Sequence, residues 1–201
     1  MARTKDPQLE QRRREQIMST ARELLTEGSF ATLTLSGVAD RAGLSKGLLT
    51  YYFGSKEQLV VETIRAYHAE QSALMRGFMH LPMPASTKLR LMVDATLPSQ
   101  ESVVDELRFQ VEVWSFAKAH PEALDAVKQS YFEFRRACEQ LLADGIADGT
   151  VHVEDTAFTY RVLHGLIDGL SFQLVVEPDV DMVELRDRSY DLFHGLLGIS
   201  D

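Results

Sequence analysis

The chain has 201 residues, 45% of them apolar, with one cysteine (Cys138) and six scattered histidines; it can bury a real core, an intrachain disulfide is excluded, and no metal or other cofactor is expected. No apolar run is long enough to span a membrane, and the opening MARTKDPQLEQRRREQ lacks the apolar segment of a signal peptide, so a cytoplasmic protein without a membrane partner is expected. The formal net charge of −9 divides unevenly: residues 1–60 hold nine Lys/Arg against seven Asp/Glu and the remainder twelve against twenty-three, which leaves any phosphate contact to the N-terminal head.

Helical spacing dominates the chain. A first helix is predicted from about Gln8 to Glu27, with Ile17, Ala21, Leu24 and Leu25 on one face and Gly28 closing it. Thr34 can cap a short second helix, LSGVADRA, with Val38, Ala39 and Ala42 inward and Gly43 at its end. Ser45 caps a third, Lys46 to Phe53, and a capping box of Ser55 and Gln58 opens a long fourth, Lys56 to about Met79. HLPMPAS (80–86) is the clearest break. A fifth helix follows over about 85–97 and a sixth over about 100–119, with Val104, Leu107, Val111 and Trp114 in register. Pro121 suits the first turn of a seventh helix reaching Ala147. GTVHVED alternates briefly and fits a short strand or a loop. Asp155 or Thr156 caps an eighth helix to Val176, and EPDVD separates it from a ninth near Met182–Leu197. The expected fold is all-α, with about nine helices and no sheet.

The second and third helices, short and joined by a glycine-containing turn, have the form of a helix-turn-helix, whose second helix enters the DNA major groove. Leu44, Leu49 and Phe53 are assigned to holding that helix on its scaffold, which frees Lys46, Gly47, Leu48, Thr50 and Tyr51 to face DNA. Tyr52 and Lys56 fall where a hydroxyl and an ammonium reach phosphates; the alternative is that Tyr51 and Tyr52 merely pack on neighbours.

TLTLSGVADRAGLSKGLLTYYFGSKEQLV resembles the DNA-binding segment of the TetR family of bacterial transcriptional repressors. The shared pattern is a Thr opening the second helix, an Ala-Gly-hydrophobic-Ser turn, an aromatic-rich end to the third helix and a Ser-Lys-x-x-Leu start to the fourth. The likeness covers residues 11–71. It implies a head over residues 1–55, the fourth helix as connector, and an effector-binding and dimerisation domain over 72–201. It also implies phosphate contacts from Thr34, Ser36, Ser45, Tyr52 and Lys56, with Lys46, Leu48, Thr50 and Tyr51 nearest the bases. Arg12, Arg13 and Arg14 can reach the flanking backbone or minor groove. Two positions depart from the family: most members have Tyr at Thr50 and often a polar or acidic residue at Gly37. GLLTYYF, VWSFAKAHPEAL and LIDGLSFQL are more similar to the subgroup of the choline-responsive repressor of betaine synthesis.

In the body, Gly165 and Gly169 lie four apart in one helix, where glycine costs about 1 kcal/mol against alanine. Such a pair suggests a close neighbouring backbone, within the subunit or in a second one. The resemblance implies that the eighth and ninth helices form a four-helix interface with their twins, so Gly165, Gly169, Leu170, Leu192 and Leu196 are interface candidates, with Leu163 and Leu166. Body helices are rich in rings: Phe78, Phe109, Trp114, Phe116, Tyr131, Phe134, Tyr160 and Phe172. Such stripes are usually core, but the resemblance implies an effector pocket among them. Its candidate lining is Phe109, Glu112, Trp114, Tyr131, Phe134, His164, Asp168 and Phe172, and its ligand is expected to be apolar or cationic. His164 and Asp168, at i and i+4, could instead be an acid–base pair of an enzyme, yet no nucleophile, metal cluster or phosphate loop accompanies them. The expected function is therefore a dimeric repressor, not an enzyme, released from an inverted-repeat DNA operator by a small molecule. A DNA-binding regulator without effector, or an activator, is the alternative.

Overall fold

The structure, a computed structural model, describes residues 6–177 and 179–199. Among these there are nine helices and no strand: α1 Pro7–Glu27, α2 Leu35–Ala42, α3 Lys46–Phe53, α4 Lys56–Met79, α5 Ala85–Thr96, α6 Gln100–Ala117, α7 Pro121–Ala147, α8 Thr156–Val176 and α9 Met182–Leu197. None of these helices is long and apolar enough to cross a membrane. Pro178, inside the predicted EPDVD break, lies outside the described residues.

Local chemistry sets most of the ends. Asp6 opens α1 by accepting from the Gln8 and Leu9 amides. Thr34 and Ser45 cap α2 and α3 by accepting from Gly37 N (3.0 Å) and Leu48 N (3.3 Å). Gly43 takes φ +66° after α2, a left-handed turn that glycine adopts without strain. The capping box of α4 is only half formed. Ser55 Oγ accepts from Gln58 N at 3.1 Å, but the Gln58 amide turns to the Glu62 carboxylate (3.3 Å) instead of returning to the cap. GTVHVED is a loop and not a strand. Its Thr150 and Val151 amides close onto Gly145 O, and His152 N donates to Leu197 O (2.8 Å) at the end of α9.

The chain divides into two compact units, along lines that differ from the sequence division. One comprises the described residues up to Glu70 together with Arg108–Lys128; it is called the head unit here. The other, the body unit, comprises Gln71–Leu107 and the described residues from Gln129 onward. The head unit's core gathers Ile17, Ala21, Leu25, Val38, Leu49, Phe53, Leu59 and Ile64 with Phe109, Val113 and Phe116. Full burial of each such large side chain is worth about 1.5–3 kcal/mol. The body unit has two clusters, one around Val93, Leu97, Val103, Leu174 and Phe193, the other around Leu142, Val151 and Leu197. Polar ties brace them: Arg186 donates to Leu97 O and Pro98 O, and Gln100 Nε2 to Leu174 O (3.0 Å) and Glu177 O (2.6 Å).

Gly145 is the tightest glycine in the body unit: a Cβ there would stand 2.4 Å from Val151 Cγ2 and 3.2 Å from Ala85 Cβ. Gly145→Ala should therefore destabilise the protein by about 1–3 kcal/mol despite alanine's better helix propensity. Denaturant unfolding of the variant checks this, and equal or higher stability would show that the Val151 loop moves aside freely.

Candidate nucleic-acid interface and effector cluster

The reading helix is built as its sequence spacing suggests. Leu49 and Phe53 are buried in the head core, and Leu44 packs against it. Lys46, Gly47, Thr50 and Tyr51 are exposed, with Leu48 half-buried. Tyr51 is 58% exposed and meets the half-buried Tyr52 edge-on at 5.2 Å. Of the three consecutive aromatics, one is core, one rests on the core's edge, and one projects. Thr34 and Ser45 are exposed caps, and Ser36 is half-buried beside Thr34. Gly37 has a local reason to be small: a Cβ there would press on Thr34 Oγ1 at 3.2 Å. The Thr50 hydroxyl donates back to Lys46 O (3.2 Å), so the side chain presents chiefly its methyl group outward.

Two residues expected at the DNA also make contacts within the chain. The Lys56 ammonium donates to Phe30 O at 3.0 Å and lies 4.1 Å from the centre of the Phe30 ring. Arg14 donates to Tyr52 O (3.0 Å), pairs with the Glu62 carboxylate and covers the Phe53 ring at 4.8 Å. Arg14 thus braces α1 against α3 and α4. Arg41 and Glu27 form a paired contact (2.8 and 3.1 Å) between the ends of α2 and α1. That hydrogen bonding holds the Glu27 carboxyl below its usual range.

The α1–α2 loop is held by a cluster that periodicity does not reveal. Phe30 N donates to Glu112 Oε2 at 2.8 Å, and the Phe30 ring lies 4.6 Å from Phe116, which stacks flat on His120 at 3.7 Å. Glu112, expected in the effector pocket, is instead the acceptor that secures the head's first loop. Phe109, expected there too, is fully buried in the head core, edge-on to Tyr67 at 5.0 Å and covered by Arg22. Trp114 belongs to the same unit and is 54% exposed.

The remaining pocket candidates fall in the body unit, and four of its rings converge. His164 lies 5.3 Å from Tyr160, 5.8 Å from Phe134 and 5.9 Å from Tyr131; Tyr160 is 6.4 Å from both Tyr131 and Phe134. His164 Nδ1 is 3.0 Å from Asp168 Oδ2, so the i,i+4 pair exists, with the carboxylate mostly in solvent. Tyr160, absent from the expected lining, is the most buried member. Its i,i+4 relation to His164 is the signal that marks it. Cys138 lies nearby, and burial pushes its thiol up to about 12, which leaves it inert as a nucleophile.

Phe172 is not with these rings. It is 58% exposed and lies on an outer stripe of α8 that also carries Phe158, Val162, Gly165, Gly169 and Val176, spaced alternately four and three apart. A Cβ added at Gly165 or Gly169 would meet nothing within 4 Å, so the close backbone that the pair suggests is not within this chain's described residues. On α9, Val183, Leu192 and Leu196 are also exposed, whereas Leu170 on α8 is half-buried.

A helix-turn-helix with an exposed reading helix, in a chain whose second compact unit has cores of its own, defines a DNA-binding transcriptional regulator. Residues 17–63 match bacterial regulatory proteins of the tetR family, and residues 85–193 match the C-terminal domain of BetI-type transcriptional repressors. The chain belongs to the TetR family, with a body of the BetI type. BetI 1 of Chromohalobacter salexigens is 23% identical over 190 residues, 89% of this chain and 87% of that protein. HbdR of an Aromatoleum strain is 34% identical over 79 residues, which span 37% of this chain and 34% of that protein. Among solved structures, a transcriptional regulator of Saccharomonospora viridis in complex with choline superposes with a TM-score of 0.81 at 22% identity, over 92% of this chain and 96% of that one. FadR of Bacillus subtilis in complex with stearoyl-CoA gives 0.70 at 19% identity, over 89% and 96%. At such identities the two structures speak for the fold alone.

Proposed function

We propose that this chain is a cytoplasmic, dimeric repressor, not an enzyme, that grips an inverted-repeat operator through α3 of each subunit and lets go when a small molecule occupies the ring cluster of the body. The observation that carries the DNA side is the division of α3 into a buried scaffold (Leu49, Phe53) and an exposed face of Lys46, Gly47, Thr50 and Tyr51. The outward Thr50 methyl suits a thymine methyl, and Lys46 or Tyr51 suits hydrogen-bonding base edges. Thr34, Ser36, Ser45, Tyr52 and Lys56 serve the phosphates. A footprint on the DNA upstream of its own gene tests this reading, and protection without two-fold related halves would defeat it.

Lys56 sharpens the test. Its ammonium has three donors, of which the Phe30 carbonyl takes one. Lys56→Ala is predicted to weaken operator and random DNA about equally and to reduce the salt slope by roughly one. An unchanged slope would make Lys56 a brace for the α1–α2 loop and nothing more.

For the effector, the rings of Tyr131, Phe134 and Tyr160 around His164 favour a cationic head group, which aromatic faces attract by about 0.5–2 kcal/mol each. The choline held by the Saccharomonospora regulator is a ligand of that kind. The effector works by binding the DNA-incompetent state of the dimer more tightly than the competent one; equal affinity would shift nothing.

A further inference from the structure

The reading helix α3, KGLLTYYF, holds no arginine, asparagine, glutamine, aspartate or glutamate. Those side chains, with lysine, are the ones that match a base edge by hydrogen bonds in the major groove. Lys46 is therefore left as the charged reader of α3, and Thr50 stands on the same face one turn further on, exposed like Lys46. A threonine there invites a hydrogen-bonding role, but its hydroxyl carries a single proton, and that proton is donated to Lys46 O at 3.2 Å. With Oγ1 turned back along the helix, the γ-methyl is the outer tip of the side chain. An apolar tip in the major groove has one natural counterpart on a base pair, the C5-methyl group of thymine.

We infer that Thr50 is a specificity-determining residue for the operator, its γ-methyl packing on the C5-methyl of one thymine in each half-site while its hydroxyl serves the helix. This rests on α3 being the reading helix, and it names the group that Thr50 reads. The contact works by removing two methyl groups from water, so its worth follows buried apolar area: about fourfold in affinity per half-site and about tenfold for the two together. It requires the thymine methyl in register with Thr50, so random DNA, held through its phosphates, gains nothing from it. Lys46 reads by hydrogen bonding at a different base, which makes the two contributions separable by mutation.

The test uses the full-length protein and the DNA fragment defined by footprinting, with deoxyuridine replacing thymidine at one symmetric pair of positions at a time. Deoxyuridine keeps the hydrogen-bonding edge of thymine and lacks only the methyl group. At one such pair wild type should lose about tenfold in affinity. Thr50→Ser keeps the hydroxyl and drops the methyl. It should lose the same factor on the thymine fragment, show no further loss on the deoxyuridine one, and bind random DNA as wild type does. Thr50→Val keeps the methyl and drops the hydroxyl, and it should match wild type on both fragments. The inference is overturned if Thr50→Val loses the discrimination that Thr50→Ser keeps, because the hydroxyl is then the reader. It is overturned equally if Thr50→Ser stays as sensitive to deoxyuridine as wild type. Lys46→Ala separates this failure from a deeper one. If Lys46→Ala weakens the operator more than random DNA while the Thr50 variants change nothing, α3 still reads the groove and only the role of Thr50 falls. If substitutions at both residues leave operator preference intact, the reading of α3 as the base-contacting helix fails and the inference with it.

Discussion

Gly169→Gln should yield a folded, helical protein that is monomeric and binds its operator about 10²–10⁴-fold more weakly. A Cβ on Gly169 meets nothing within 4 Å in the chain, so the protomer loses no packing and gains helix propensity of up to about 1 kcal/mol. Yet the stripe around it is apolar, with Phe158, Phe172 and Val176 at 64, 58 and 75% exposure. Large apolar side chains left facing solvent along one helix mark an interaction surface. Two glycines between phenylalanines let a facing helix approach to backbone distance, as small residues do at tight helix crossings. A two-fold axis there would make the contact self-complementary and would present two reading helices to related half-sites. Each half-site alone holds weakly; joining the two heads makes the second contact intramolecular, which is where the 10²–10⁴ factor arises. Sedimentation velocity, circular dichroism and operator titration together check the prediction. A dimeric Gly169→Gln protein with undiminished operator affinity would place the interface elsewhere.

Much of the head was readable from the chain because its determinants are local. Thr34, Ser45 and Gly43 act on amides and turns within a few residues, so spacing suffices to place α2, the turn and α3. The long-range partners were not readable. Glu112 lies 82 residues from the Phe30 amide it accepts from, and helical periodicity assigns a face without naming what that face meets. The same gap explains Phe109, which is core in the head unit, and the hydrogen bond from Lys56 to a carbonyl 26 residues away. Phe172 was misplaced for a different reason. Ring type alone does not separate the faces of α8, whereas the alternation of four and three through Gly165 and Gly169 sets Phe172 on the outer stripe.

Phe134→Leu combined with Tyr131→Leu should produce a repressor that holds its operator and no longer releases it at choline concentrations that empty the wild type. Leucine keeps apolar volume but has no ring quadrupole, so the substitution removes attraction for a cation more than it removes packing. With two rings gone at about 0.5–2 kcal/mol each, choline affinity should fall about tenfold to a thousandfold. Neither residue lies in the head unit, so the reading face of α3 is untouched. The fold alone cannot decide the ligand's charge: the superposing structures hold choline in one case and stearoyl-CoA in the other. For the proposed cluster the lining is rings beside an exposed Asp168, with Arg135 close enough to Tyr131 and Tyr160 to feel them but paired to Glu139 at 2.6 Å. An anionic head group would have to take Arg135 from Glu139, whereas an ammonium would meet ring faces and a nearby carboxylate. Operator release followed by fluorescence anisotropy, with choline, its neutral tert-butyl analogue and an acyl-CoA as titrants, separates these readings. Release by the acyl-CoA alone, or equal release by the neutral analogue, would overturn the cationic assignment.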